Sequence, residues 1–286
     1  MSAVPTFVLV HGTHVSSFSW VGLTSELTLR GYRTVAVDLP GHGIDGSFPQ
    51  AYQAPQDLAA LAKEPTPIAS YTLDDYEAHV IDVVERAKRL GPVILVGSSQ
   101  GGVSLSRVGN AVPELVDRLV YMAAYCCVDL PTMAAYLEQP ENAGSLLPNV
   151  TAALAGDPAE LGVARVNWRT SDRKLLDGIR DCLAGGLSDA ELTRLLNLFQ
   201  PDEPVAIPVS EVRVDADRWG RIPRTYVRFT EDRLIPPALQ DRFIAEADRL
   251  TPHNPTEVFS APLPHVGPFY RPEVVAILSQ IAERHA

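Results

Sequence analysis

The stretch VILVGSSQGGVSL, residues 93–105, constrains the fold more than any other part of the chain. Four apolar residues predict a buried strand, and a helical stretch begins at Val103. Between them Gly97-Ser98-Ser99-Gln100-Gly101 fits G-x-S-x-G, a sharp turn from strand to helix. The central residue of such a turn is strained, and only small neighbours let the backbone pack around it. That strain pushes the Ser99 hydroxyl into a cleft. The free N–H groups at the start of the helix, notably that of Gln100, face the same way and favour developing negative charge. Ser99 is the candidate nucleophile, and Ser98 is its spacer.

The strand-then-helix pattern repeats along the chain. Apolar runs of strand length occur at residues 7–10, 34–37, 93–96, 119–123, 225–229 and 257–259. Helical stretches occupy 20–30, 73–89, 103–112, 236–247 and 272–284. Near-continuous apolar strands alternating with helices predict the α/β class, with a parallel sheet covered on both faces. In the last helix Val274, Val275, Ile277, Leu278 and Ile281 share one stripe, after Pro272 in the first turn.

Two segments break the pattern. Residues 43–70 are proline-rich and read as an elaborated loop, while 131–222 carry helical pieces at 132–138, 172–183 and 189–198. An insertion of that kind sits over the C-terminal ends of the strands, where ligands bind in open α/β sheets. The expected organisation is one domain, 1–286, with a core of 1–130 and 223–286 and a helical lid of 131–222.

Composition narrows the function classes. A net charge of −11, without a run of Lys or Arg, argues against nucleic acid and anionic membrane as partners. The opening MSAVPTFVLVHG has no positive leader, and no stretch is long and apolar enough to span a bilayer, so a cytoplasmic protein is expected. The three cysteines, Cys126, Cys127 and Cys182, lack the spacing of a disulfide framework or a zinc site. They read as small buried hydrophobes. Neither a cofactor nor a metal is implied.

A serine nucleophile needs a base, and the base an orienting acid, in the chain order Ser, Asp/Glu, His after a G-x-S-x-G turn. Of seven histidines, His11 and His14 lie before that turn, His42 in the Pro-Gly-His-Gly turn, and His79 on a helix. His253 lies in a polar loop and His285 at the end of the chain, whereas His265 directly follows the last strand. Position and order select His265. The acid is Asp232, just past the strand at 225–229, with its neighbour Glu231 and Asp129 as alternatives. Gln100 and Thr13, in the turn His11-Gly12-Thr13-His14, supply the expected oxyanion donors. A His11/His14 metal site lacks an indicated third ligand.

Assembled, these residues resemble the α/β-hydrolases, and among them the plant methyl-ester esterases and related hydroxynitrile lyases. The likeness is carried by FVLVHG with Trp20, AVDLPGHGID, GSSQGGVSL, RLVYMAAY and DRWGRIPRTYVRFTEDRLIP leading to His265. It fades through the lid. That branch usually has histidine where Ser98 stands and an apolar residue where Gln100 stands. Its lyases carry threonine after the first-strand histidine and lysine after the catalytic histidine; here Gly12 and Val266 occupy those places. The longer proline-rich loop resembles actinobacterial-type relatives instead.

The resemblance implies ester hydrolysis by Ser99, His265 and Asp232 on a small or aromatic ester. Gly12, His14, Ser98, Cys126, Cys127, the lid and the 49–70 loop are expected around the substrate. It also allows a homodimer. A lyase or cyclase using the same triad, or a ligand-binding protein of this fold, is the alternative.

Overall fold

The computed structural model describes residues 4–266 and 271–284. His285 and residues 267–270 of the segment GPFYRP lie outside the described residues. Along the chain the strands are β1 (Thr6–Val10), β2 (Arg33–Val37), β3 (Val93–Ser99), β4 (Arg118–Ala124), β5 (Val163–Arg165), β6 (Asp202–Pro204), β7 (Arg224–Phe229) and β8 (Glu257–Ala261). Six of them form one sheet in the order β2-β1-β3-β4-β7-β8, every neighbouring pair parallel. All six runs expected as strands are present, each extended by one to three residues.

Sheet position follows from apolar content. TFVLV of β1 is buried at every residue, as a central strand with helices on both faces must be. The edge strand β8 alternates partly buried and exposed residues instead. Side chains leave β1 alternately on opposite faces. Phe7 and Leu9 pack with Leu23, Leu27, Val274 and Leu278 from helices Val21–Leu29 and Pro272–Glu283. Val8 and Val10 lie in the core on the other face, which helices Leu73–Lys88, Gly101–Ala111 and, beyond them over β7, Pro237–Leu250 cover. Helix Leu73–Lys88 starts at a capping box in which Thr72 and Asp75 satisfy each other's backbone N–H. Its buried stripe is Leu73, Tyr76, Val80, Val84 and Ala87. Each such fully buried large apolar side chain contributes roughly 1.5–3 kcal/mol.

The segment between β4 and β7 departs from a purely helical lid. Helices Arg173–Leu183 and Asp189–Leu196 have their own small core around Trp168, Ile179, Leu195 and Phe199. They are joined by the antiparallel ribbon β5–β6, whose three-residue strands are too short to show a period of two. The far end of the segment is sheet packing and not lid. Ile207, Val212, Val214, Trp219 and Ile222 are buried in the same core as Val8 and Leu105.

The loop at 43–70 is also placed differently from the expectation. Arg165 on β5 forms a buried two-point pair with Asp202 on β6 at 2.6 and 2.8 Å, and donates to the carbonyls of Leu61 and Glu64. Gln56 and Asn167 exchange side-chain hydrogen bonds at 2.9 and 3.0 Å. The loop is thus held against the outside of the ribbon, and no residue of 49–70 lines the central cavity. Strand order reverses between β1 and β3, and the crevice above their C-terminal ends is where this architecture places a ligand.

Candidate active site

Ser99 ends β3 with φ +53°, the left-handed region that costs a non-glycine residue about 1–3 kcal/mol. β4 accommodates the bend by a register shift: Ser98 pairs with Met122 and Ser99 with Ala124, while Ala123 between them takes φ +42°. The helix beginning at Gly101 approaches β1 closely. A Cβ at Gly101 would stand 2.7 Å from the carbonyl oxygens of Val10 and His11. One at Gly12 would stand 2.7 Å from Ser99 Cβ. Only glycines at both positions let the loop after β1 lie against the serine.

His265, four residues past β8, reaches back to this turn. Its Nδ1–H donates to Asp232 Oδ2 at 2.7 Å, and its Nε2 accepts from the Ser99 hydroxyl at 3.0 Å. Because a carboxylate only accepts, Asp232 fixes the tautomer that leaves Nε2 free for the serine. Asp232 is itself held: Oδ1 accepts the N–H groups of Leu234 and Ile235, both at 2.8 Å. The two alternatives for the acid lie elsewhere. Glu231 is exposed, and Asp129 pairs with Arg249 on the surface at 2.5 Å.

A cavity of about 350 Å³ opens above the serine. Gly12, Thr13, His14, Ser98, Ser99, Gln100 and His265 border it, and Trp20, Leu23, Met122, Leu147, Trp168 and Phe199 give it apolar walls. Cys126 and Cys127 are a correction: they are absent from the cavity wall and buried in the sheet core. Past β4 it is Tyr125 that borders the cavity, and the next two side chains pack inward. Burial pushes the Cys126 thiol up to about 12, so it is a neutral packing group.

Sequence reasoning missed a second polar cluster behind the loop that follows β1. Glu203 on β6 is buried and borders the cavity. Its carboxylate accepts the backbone N–H of His14 at 2.9 Å, His42 Nε2–H at 3.0 Å and the Gln100 side-chain amide at 2.7 Å. His42 Nδ1 also faces an acceptor, the Pro40 carbonyl, at 3.2 Å. With acceptors at both nitrogens, the imidazolium fits. Burial alone would lower the His42 pKa, but the charge and hydrogen bond of Glu203 outweigh it and raise it. Burial would conversely raise Glu203, yet His42 and His14 hold its carboxyl well below the usual range. In the sequence Glu203 is marked only by the pair Asp202-Glu203 between two prolines; in the fold both members are buried.

His11 is the opposite case. Its Nδ1–H donates to the Gly12 carbonyl at 2.8 Å and its Nε2 accepts from Leu39 N–H at 3.1 Å. Neither nitrogen is free for a metal. Among the described residues no group of three or more His, Cys, Asp or Glu side chains could hold a metal ion. Burial, helped by His42, lowers the His11 pKa from 6.5 to about 4, and burial lowers His14 as well. The unfolded chain then binds more protons than the fold between these values, so stability falls as pH drops from 6.5 toward 4. His42, raised, acts outside this window: its contribution is complete below 6.5 and is lost only as pH rises above that value. Replacing His11 with Gln should flatten the dependence by about one proton, about 1.4 kcal/mol per pH unit. Urea unfolding across that range checks it; equal slopes for wild type and variant would exclude His11 as the source.

A strained serine at a strand-to-helix turn, joined through an imidazole to a buried carboxylate and capped by a lid, marks a nucleophile-elbow protein. The chain belongs to the alpha/beta hydrolase family, whose model matches residues 7–277. A putative chloroplastic methylesterase of Arabidopsis thaliana is 24% identical over 85% of this chain and 63% of its own length. The chain therefore spans under two thirds of that relative. The alpha-hydroxynitrile lyase of the same plant is 25% identical over 80% of each chain. Among solved structures, a pyrethroid hydrolase from Sphingobium faniae JZ-2 superposes with a TM-score of 0.71 at 22% identity, covering 98% of both chains. Among the described residues no helix is long and apolar enough to cross a membrane.

Proposed function

We propose that this protein hydrolyses esters of small, uncharged, largely apolar acids through an acyl-enzyme on Ser99. The observation that carries this is the relay Ser99–His265–Asp232, with contacts of 3.0 and 2.7 Å. Ser99 Oγ attacks the ester carbonyl as His265 Nε2 takes its proton. Asp232 balances the imidazolium, and the N–H groups of Thr13 and Gln100 receive the oxyanion. His265 then protonates the departing alcohol, and water clears the acyl group by the same route.

The substrate class follows from the cavity. At about 350 Å³ it lies near the lower end of small-molecule sites, which run about 300–1,000 Å³. Its apolar walls favour an aromatic or branched acyl part and disfavour a charged one, which would lose its hydration there. The names of the plant and bacterial relatives, a methylesterase and a pyrethroid hydrolase, agree with an ester substrate. Val266 borders the cavity beside His265, where the resembling lyases carry lysine, and this favours hydrolysis over cyanohydrin cleavage.

Intact-protein mass spectrometry after a fluorophosphonate probe tests the reading. A single adduct mapped to Ser99 is the expected result, followed by turnover of methyl and aryl esters. A folded protein that stays unlabelled and turns over none of them would overturn it.

A further inference from the structure

The lid places one charged side chain across three loops of the core. The carboxylate of Glu203 binds His14 in the loop after β1, His42 in the loop after β2 and Gln100 in the turn after β3. The same lid segment grips His14 again. Gln200 N–H donates to the His14 carbonyl at 2.8 Å, and His14 Nδ1–H donates to the Gln200 carbonyl at 3.1 Å. That carbonyl also accepts Trp168 Nε1–H at 2.9 Å, and Gln200 Oε1 accepts Gly43 N–H at 2.7 Å. His14 is held at φ +61°, a conformation that needs such support in a non-glycine residue.

The positions of these contacts matter. His14 follows Thr13 directly, and Gln100 carries its own N–H, so Glu203 grips both segments that bear the proposed oxyanion donors. We infer that Glu203 is a positioning residue: the lid, through this carboxylate, sets the separation of the Thr13 and Gln100 N–H groups. The inference rests on the esterase reading above. A carboxylate so near a developing oxyanion would oppose it if uncompensated. The acceptors at both His42 nitrogens fit an imidazolium that balances it. Acting through His14 and Gln100, Glu203 takes no part in bond making.

An oxyanion hole works only when its donors stand about 2.7–3.1 Å from the oxyanion, and losing one donor costs about 10²–10³-fold in kcat. Relaxing the anchor should therefore lower kcat and spare KM, because the ground-state ester is held by the apolar walls. For Glu203→Ala the expected loss in kcat, per Ser99 site titrated with fluorophosphonate, is about 100-fold, with KM within about threefold. For Glu203→Gln, which keeps an acceptor for His14 N–H, the loss is about 10-fold. Should the alanine variant fail to fold, the nearly isosteric glutamine variant carries the test.

A double-variant cycle with Gln100→Met supplies the readout that a merely structural role would not move. Both changes break the Glu203–Gln100 contact, so their losses in kcat should combine to less than their product. Equal kcat per titrated site in wild type and Glu203→Gln, or fully multiplicative losses, would overturn the inference. Failure of wild type itself to label at Ser99 would instead overturn the esterase reading, so the two failures are distinguishable.

Discussion

Ser99→Ala is expected to lower ester turnover by roughly 10⁶-fold, the scale seen when a serine nucleophile is removed from such a relay. The residue left behind still borders the proposed oxyanion donors and the cavity, so some rate above that of water should persist. Little stability should be lost. The hydroxyl makes one hydrogen bond, to His265, and alanine occupies the same φ of +53° with no greater strain. The unfolding temperature should therefore move by no more than about 4 °C. Initial rates on an aryl ester and a thermal melt, made on one preparation, check both halves. Retention of more than about a hundredth of the activity in a folded variant would remove Ser99 from the chemistry.

The parts of this site that could be read from the sequence are those encoded locally. β3 is an apolar run followed at once by glycine and serine, so strand, bend and helix announce themselves within thirteen residues. His265 and Asp232 follow strands whose apolar content marks them, and the order of the three along the chain does the rest. Glu203 has no such context. Its partners His14, His42 and Gln100 are 189, 161 and 103 residues away, and β6 has only three residues. Nothing in periodicity brings one acid of a pair between prolines onto the loop after β1.

The two misplacements have separate physical causes. Tyr125, Cys126 and Cys127 follow one strand end, and which of them meets the cavity depends on how the chain turns after the register shift at Ala123–Ala124. The loop at 43–70 is long enough to reach the cavity. It is held away by buried Arg165, whose guanidinium binds Asp202 and two loop carbonyls at once, and by the reciprocal pair Gln56–Asn167. The first outcome turns on a backbone register shift, the second on polar contacts between residues about a hundred positions apart.

Asp232→Asn should cost about 10⁴-fold in kcat while leaving the fold and the position of the imidazole intact, and the hydrogen bonds say why. Oδ1 of Asp232 accepts two backbone N–H groups, from Leu234 and Ile235. An asparagine must therefore keep its carbonyl oxygen at that position and turn its NH₂ toward His265. Facing a donor, His265 Nδ1 must become the acceptor, and the proton moves to Nε2. Nε2–H then points at Ser99 Oγ and cannot take its proton. The loss should lie in kcat and in the rate of fluorophosphonate labelling, with KM nearly unchanged, since no substrate contact is removed. Asp129→Asn is the matched comparison, because that carboxylate also follows a strand of the sheet but pairs with Arg249 in solvent. It should cost less than about twofold in kcat, because Asp129 borders no part of the cavity and its ion pair with Arg249 lies on the surface. A collapse of activity in Asp129→Asn with Asp232→Asn unaffected would move the orienting acid to the end of β4, and the bond from His265 to Asp232 would lose its meaning for the chemistry.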